Sequence, residues 1–288
     1  MKRDILNSPR LSELKKHRRR AFQNKVLIFV FGFLVVSAFL IYISRLPTLN
    51  IDNIIVVGNK VVETEMIKEV AEKELAGKYF FVFPKTNIFL YSKNNIEKEL
   101  HNKFNRLKNI TFAIKNRKIL EVSVTERVAL YTWCGVVPPT KIDTVPENNT
   151  DISNCYFLDN EGYIFEEAPY FSGQVYFKFY GKGEFGSNFL PDIFQKLTLL
   201  KKTLEDIGLK AVAIYKEENG DVRMFFSNKN TSVGPEIIFK ADSDFQKVAE
   251  NLEAALTTEP LQSNLKNKYS SLLYIDLRFG NKVYYKFR

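Results

Sequence analysis

Nineteen consecutive residues, Val26 to Ser44 (VLIFVFGFLVVSAFLIYIS), contain no charged side chain. As a helix they extend roughly 28 Å, close to the ~30 Å hydrocarbon layer of a bilayer. No face of that helix is polar, which argues against a buried helix of a soluble protein. A cleaved signal peptide is the competing reading. Its apolar core ordinarily runs about 7–15 residues and ends at a small-x-small cleavage site. Here the run is longer and no such site follows. Residues 26–45 are therefore read as an uncleaved transmembrane helix, with Tyr42 at the outer interface and Arg45-Leu46-Pro47 ending the span.

Charge is divided by this span. The chain carries +9 overall, and residues 1–25 hold Lys2, Arg3, Arg10, Lys15, Lys16, Arg18, Arg19, Arg20 and Lys25 against Asp4 and Glu13. The tail thus accounts for most of the excess, and the body is nearly neutral. Lys and Arg accumulate on the cytoplasmic side of a span. The expected topology is a basic, partly disordered cytoplasmic tail over 1–25, a single pass through the cytoplasmic (inner) membrane, and a body outside. A near-neutral body releases few counterions, so the basic-aromatic alternation of 282–288 is weak support for nucleic-acid binding.

Residues 49–126 read as one β-α-α-β-β unit. LNIDNIIVVGN is a strand that ends at Gly58-Asn59. A helix starts near Thr64, with Met66, Ile67, Val70, Ala71 and Leu75 as its apolar stripe and Gly77 as a left-handed stop. Ser92 caps a second helix whose buried face is Ile96, Leu100 and Phe104. Two strands follow. A three-residue loop, 116–118, pairs Ile114 with Leu120 and Phe112 with Val122, whereas a two-residue turn would put these rows on opposite faces. The predicted result is a three-stranded sheet with two helices on one side.

Residues 127–288 change rhythm. Strands are expected at YFLD and YIFEE around Asn160-Glu161-Gly162, then at QVYFKFYG, LKAVAIYKE, DVRMFFSN and PEIIFKA. Helices are expected over 189–206 and at DFQKVAENLEAALT. This is strand-rich α+β without a βαβα rhythm. Nothing flexible marks the join at Arg127, which suggests a stiff rod of two domains. Cys134 and Cys155 lie in strand-like segments and can form a disulfide outside the cytoplasm, with two free buried thiols as the alternative. The polar, proline-bearing stretch between them reads as a loop.

Little in the chain does chemistry. It has two histidines: His17 in the tail, and His101 on a helix rim. No metal-ligand spacing, phosphate-binding glycine loop or cofactor motif occurs. Ser263-x-x-Lys266 has the spacing of an acyl-serine enzyme, but the S-D-N and K-T-G elements that accompany it in such enzymes are absent. Ser12–Lys15 repeats the spacing inside the tail. Asn-x-Ser/Thr at Asn109, Asn148 and Asn230 is what an Asn-rich chain yields by chance. The expectation is a non-enzymatic protein with no metal, cofactor, small-molecule substrate or nucleic acid.

The stretch YIDLRFGNKVYYKFR, 274–288, alternates Ile275, Leu277 and Phe279 against Tyr274, Asp276 and Arg278. A three-residue turn at 280–282 pairs Phe279 with Val283, Leu277 with Tyr285 and Ile275 with Phe287, all facing inward. It also sets Asp276 opposite Lys286, and leaves Tyr284, Lys286 and Arg288 outward. Such an edge hairpin either protects itself with charge or pairs with another chain.

IDNIIVVGNKVVETEMIKEVAEKELAGK followed by LEVSVTERVALY resembles a POTRA domain, a protein-docking module. With the basic tail, the single span, YFLDNEGYIF and IDLRFGNKVYYK, nearly the whole chain resembles the FtsQ/DivIB family of bacterial cell-division proteins. The stretch between Cys134 and Cys155 departs from the family pattern. The resemblance implies a division-septum scaffold that binds FtsB/FtsL-like partners and, through them, septal peptidoglycan synthases. The family's partner adds a strand to the terminal strand, which here maps to Arg278, Phe279, Val283, Tyr284, Tyr285, Lys286 and Phe287. A POTRA-anchored factor for protein export or envelope assembly is the alternative.

Overall fold

The computed structural model of the chain describes residues 9–136, 138, 154–171, 174–227 and 235–288. Residues 1–8, most of the stretch between the two cysteines (with Asn148) and Asn230 lie outside the described residues. The chain divides into two compact units, Met1–Glu126 and Arg127–Arg288.

The first unit begins with α1 (Pro9–Ser44), whose segment Lys16–Ser44 is long and apolar enough to cross a membrane. The expectation of a partly disordered tail is corrected from Pro9 onward, where the basic residues continue the same helix. Lys and Arg are good helix formers, and the apolar part of the helix beyond them is a ready nucleus to extend from.

Beyond α1 come β1 (Asn53–Val57), α2 (Thr64–Leu75), a short hairpin of β2 (Lys78–Tyr79) and β3 (Phe83–Pro84), α3 (Lys93–Lys103), β4 (Leu107–Lys115) and β5 (Ile119–Glu126). The sheet order is β1-β5-β4, with β1 parallel and β4 antiparallel to β5. Ile114 pairs with Leu120 and Phe112 with Val122, around a loop in which Asn116 and Arg117 take positive φ. One core joins Ile54, Leu107, Ile110, Leu120, Val122 and Val124 of the sheet to Ile67, Val70, Ala71 and Leu75 of α2 and Ile96 and Leu100 of α3. Met66 is left partly exposed, at the edge of the stripe. Ser92 Oγ accepts from Asn95 N–H at 3.3 Å, capping α3. Glu126 accepts from the N–H groups of Lys60, Val61 and Val62 at 2.7–3.0 Å, tying the loop after β1 to the end of β5.

The second unit is built on one nine-stranded sheet. Its strands are β6 (Tyr131–Trp133), β7 (Tyr156–Leu158), β8 (Ile164–Glu167), β9 (Phe177–Tyr180), β10 (Ala211–Lys216), β11 (Asp221–Phe226), β12 (Glu236–Lys240), β13 (Leu272–Phe279) and β14 (Lys282–Phe287). Their order is β14-β13-β12-β11-β10-β9-β6-β7-β8. The helices are α4 (Phe194–Asp206), α5 (Phe245–Thr257) and α6 (Leu261–Lys268). α4 lies between the parallel neighbours β9 and β10, and α5 and α6 lie between the parallel neighbours β12 and β13. Such pairs need a crossover, and helices supply it.

The helices and one sheet face enclose a core that includes Phe179, Phe189, Phe194, Leu197, Met224, Phe239, Leu252 and Ile275. Each fully buried phenylalanine there contributes about 1.5–3 kcal/mol of transfer free energy.

The helix expected from residue 189 starts at Phe194. Leu190 precedes Pro191, which disfavours helical backbone, and it takes φ +48°. Phe189 is fully buried instead, and its N–H donates to Gly162 O at 2.8 Å. The short helix α6 carries few apolar residues, so its periodicity gives little sign of it in the sequence. Cys134 and Cys155 are bridged, directly beyond the antiparallel pair β6–β7.

Candidate functional site

β14 stands at one end of the nine-stranded order. Among the described residues it pairs only with β13, so one of its backbone edges is left open. The hairpin turn is Gly280-Asn281, with Phe279 opposite Lys282. Gly280 has φ +64° and Asn281 has a negative φ, the type II′ pattern that matches strand twist.

The register differs from the sequence expectation. Ile275 pairs with Tyr285, Asp276 with Tyr284 and Tyr274 with Lys286. The turn has two residues rather than three, and β13 bulges between Asp276 and Phe279. The expected pairs Phe279–Val283, Leu277–Tyr285, Ile275–Phe287 and Asp276–Lys286 are not made. A bulge inserts a residue and so turns the next side chain over. Phe279 accordingly does not face the core. It is 56% exposed and meets Tyr284 edge-on, with ring centroids 5.3 Å apart.

Facing along β14 survives the shift, because the central register moves by two residues and keeps its parity. Val283, Tyr285 and Phe287 pack on the core, while Tyr284, Lys286 and Arg288 point away from it. The open edge can be assigned in the same way. Arg288 N–H donates to Ser271 O at 2.8 Å, so it faces β13. Lys282, across a two-residue turn from Phe279, faces β13 as well. Backbone groups alternate along an antiparallel strand. Tyr284 and Lys286 therefore also turn their N–H and C=O toward β13. The open edge belongs to Val283, Tyr285 and Phe287.

Arg278 is held within the unit. Its guanidinium donates to Asp276 at 2.9 and 2.6 Å and to Asp221 Oδ2 at 2.6 Å. Asp276 also accepts from Arg278 N–H at 3.1 Å. Burial pushes the Asp276 carboxyl up, but the Arg278 hydrogen bonds and charge outweigh this and hold it below the usual carboxylate range. Hydrogen bonding to Asp276 raises Arg278 in turn, against some desolvation. A second cluster joins Arg223 of β11 to Glu236 of β12 and to Glu217, which directly follows β10. Burial raises Glu236 despite the attraction of Arg223.

The seven residues expected at the docking site thus lie on one hairpin, in three roles. Arg278 clamps the bulge, Val283, Tyr285 and Phe287 seat the strand, and Phe279, Tyr284 and Lys286 are presented outward. Asp221 and Asn251 were not anticipated. Asn251, on α5, donates to Gly280 O at 3.1 Å and fixes the turn. A polar residue on an otherwise amphipathic helix is too weak a signal to find it.

Ser263 Oγ donates to Glu259 Oε1. Among the described residues, no group of three His, Cys, Asp or Glu side chains is placed to hold a metal ion. No protein-family model and no curated protein matches this chain.

Proposed function

We propose that this chain is a membrane-anchored scaffold of bacterial cell division, of the FtsQ/DivIB kind. In this reading α1 is the anchor, the basic residues before the span stay in the cytoplasm, and both units lie outside. The first unit is a POTRA domain, and the β14 edge captures a strand from an FtsB/FtsL-like partner, through which septal synthases are recruited or regulated.

The observation that carries this reading is the open edge formed by Val283, Tyr285 and Phe287. Strand addition uses such backbone groups for affinity and the flanking side chains for specificity. Phe279, Tyr284 and Lys286 are the flanking side chains here. The bridged Cys134–Cys155 pair favours an oxidising compartment for the second unit. The order β1-α2-α3-β4-β5, interrupted between the helices by the short β2–β3 hairpin that the sequence reading did not include, supports the POTRA assignment.

The test is a fluorescent fusion of the full chain in dividing cells, with co-purification of an FtsB/FtsL-like partner. A midcell band and partner recovery are expected. An even membrane signal with no such partner would refute the reading.

A further inference from the structure

Two bulky residues of the first unit occupy positions that folding alone does not justify. Phe80 and Phe81 form the tip of the β2–β3 hairpin with φ of +48° and +63°. That region is unfavourable for any side chain with a Cβ. The rings are 87% and 92% exposed, so neither offsets the strain by burial. Glycine or asparagine would serve a plain turn better. Strain kept at an exposed aromatic pair points to a role outside the fold.

The hairpin is fastened to the end of α1. Arg45 Nε donates to Val82 O at 3.3 Å. Asn87 Nδ2 donates to the carbonyl of Ser44, the last residue of α1, at 3.0 Å. Asn50 Nδ2 reaches the same carbonyl at 3.0 Å and Leu46 O at 2.8 Å. Phe89, two residues beyond Asn87, is also exposed, and its N–H donates to Asn87 Oδ1 at 3.0 Å. A shallow cleft beside this cluster is lined by Arg45, Pro47, Asn50, Lys78, Pro84 and Thr86. It combines two cations with the neighbouring aromatic tip, the composition of a membrane-interface contact.

We propose that the β2–β3 hairpin is a second membrane contact. Phe80 and Phe81, with Phe89, enter the interfacial layer of the bilayer that holds α1, and Arg45 and Lys78 receive anionic headgroup phosphates. This rests on reading α1 as a span. The contact holds the first unit against the bilayer surface, at a fixed orientation to the span.

The full chain in vesicles of mixed zwitterionic and anionic phospholipid tests this. The chain has one tryptophan, Trp133, so a Phe81→Trp variant adds a reporter whose emission is read against the unchanged chain. The expected result is added emission that is blue-shifted, lost with lipids brominated near the headgroup, and shielded from aqueous acrylamide. Red-shifted emission lost to acrylamide and untouched by brominated lipid would overturn the proposal. Carbonate extraction runs in parallel. If the chain resists extraction, the span stands and the tryptophan signal judges the hairpin alone. Release by carbonate overturns both. Arg45→Gln with Lys78→Gln should abolish any dependence of the blue shift on anionic lipid; an undiminished dependence would remove the headgroup role.

Discussion

Proline at two adjacent positions separates the open edge of β14 from its ladder. Tyr285 N–H faces the open edge, whereas Tyr284 N–H faces β13. Tyr285→Pro removes a donor that only a partner strand would use. The partner carbonyl left behind, desolvated and unpaired, costs about 1–3 kcal/mol. That weakens binding by roughly 5- to 150-fold. Tyr285 is also half-buried against the core, and its ring meets Phe287 at 5.9 Å. Tyr285→Ala is therefore the reference, since it loses the ring but keeps the N–H. Binding of an FtsB/FtsL-like partner, titrated against the unchanged chain and each variant, should fall further for proline than for alanine. Tyr284→Pro should act mainly on folding, because it takes a donor from the β13–β14 pairing. Thermal melting and amide exchange of the hairpin report that effect. If Tyr285→Pro binds as well as Tyr285→Ala, strand addition at this edge is wrong. If Tyr284→Pro melts like the unchanged chain, the assignment of inward and outward groups is wrong.

Three further outcomes follow from the geometry. Burial alone would raise Glu126, but three backbone N–H donors and the charge of Arg106 leave it lowered from 4.5. Its contribution is therefore fully present above that value and is lost as pH falls through the lower folded-state pKa. Glu126→Gln should flatten this acid limb in melts of the full chain taken across pH, and an unchanged limb would contradict the assignment. Arg278→Ala leaves Asp276 and Asp221 uncompensated and should destabilise the second unit by roughly 1–3 kcal/mol, discounted from a fully buried pair for its partial exposure. Denaturant unfolding checks this, and a loss confined to partner binding would show that Arg278 acts only at the surface. Replacing Cys134 and Cys155 together by serine should cost about 3 kcal/mol for a cross-link spanning 21 positions. An unchanged denaturation midpoint would refute that figure.

The two hairpins show what the sequence made legible. In β4–β5 the apolar rows and loop parity admitted one solution, and the pairs Ile114–Leu120 and Phe112–Val122 form. In β13–β14 the same reasoning found the facing of Val283, Tyr285 and Phe287, because any shift by two preserves it. The register itself was lost to the bulge, which accompanies a contact between Arg278 and Asp221 that lie 57 positions apart. Alternation carries no trace of such a pair. The adjacent residues Glu126 and Arg127 present a similar limit. Glu126 gathers the 60–62 backbone, and Arg127 meets the buried Asp159 carboxylate at 2.5 Å and stacks over Tyr163 at 3.7 Å. The string TER was visible, but the destinations of its side chains depend on the folded chain.

The bond between Cys134 and Cys155 makes the twenty residues between them a closed ring on the covalent chain. A protease cut anywhere within that ring leaves one molecule, whose halves separate on a gel only after reduction. The disulfide keeps β6 and β7 tied through such a cut.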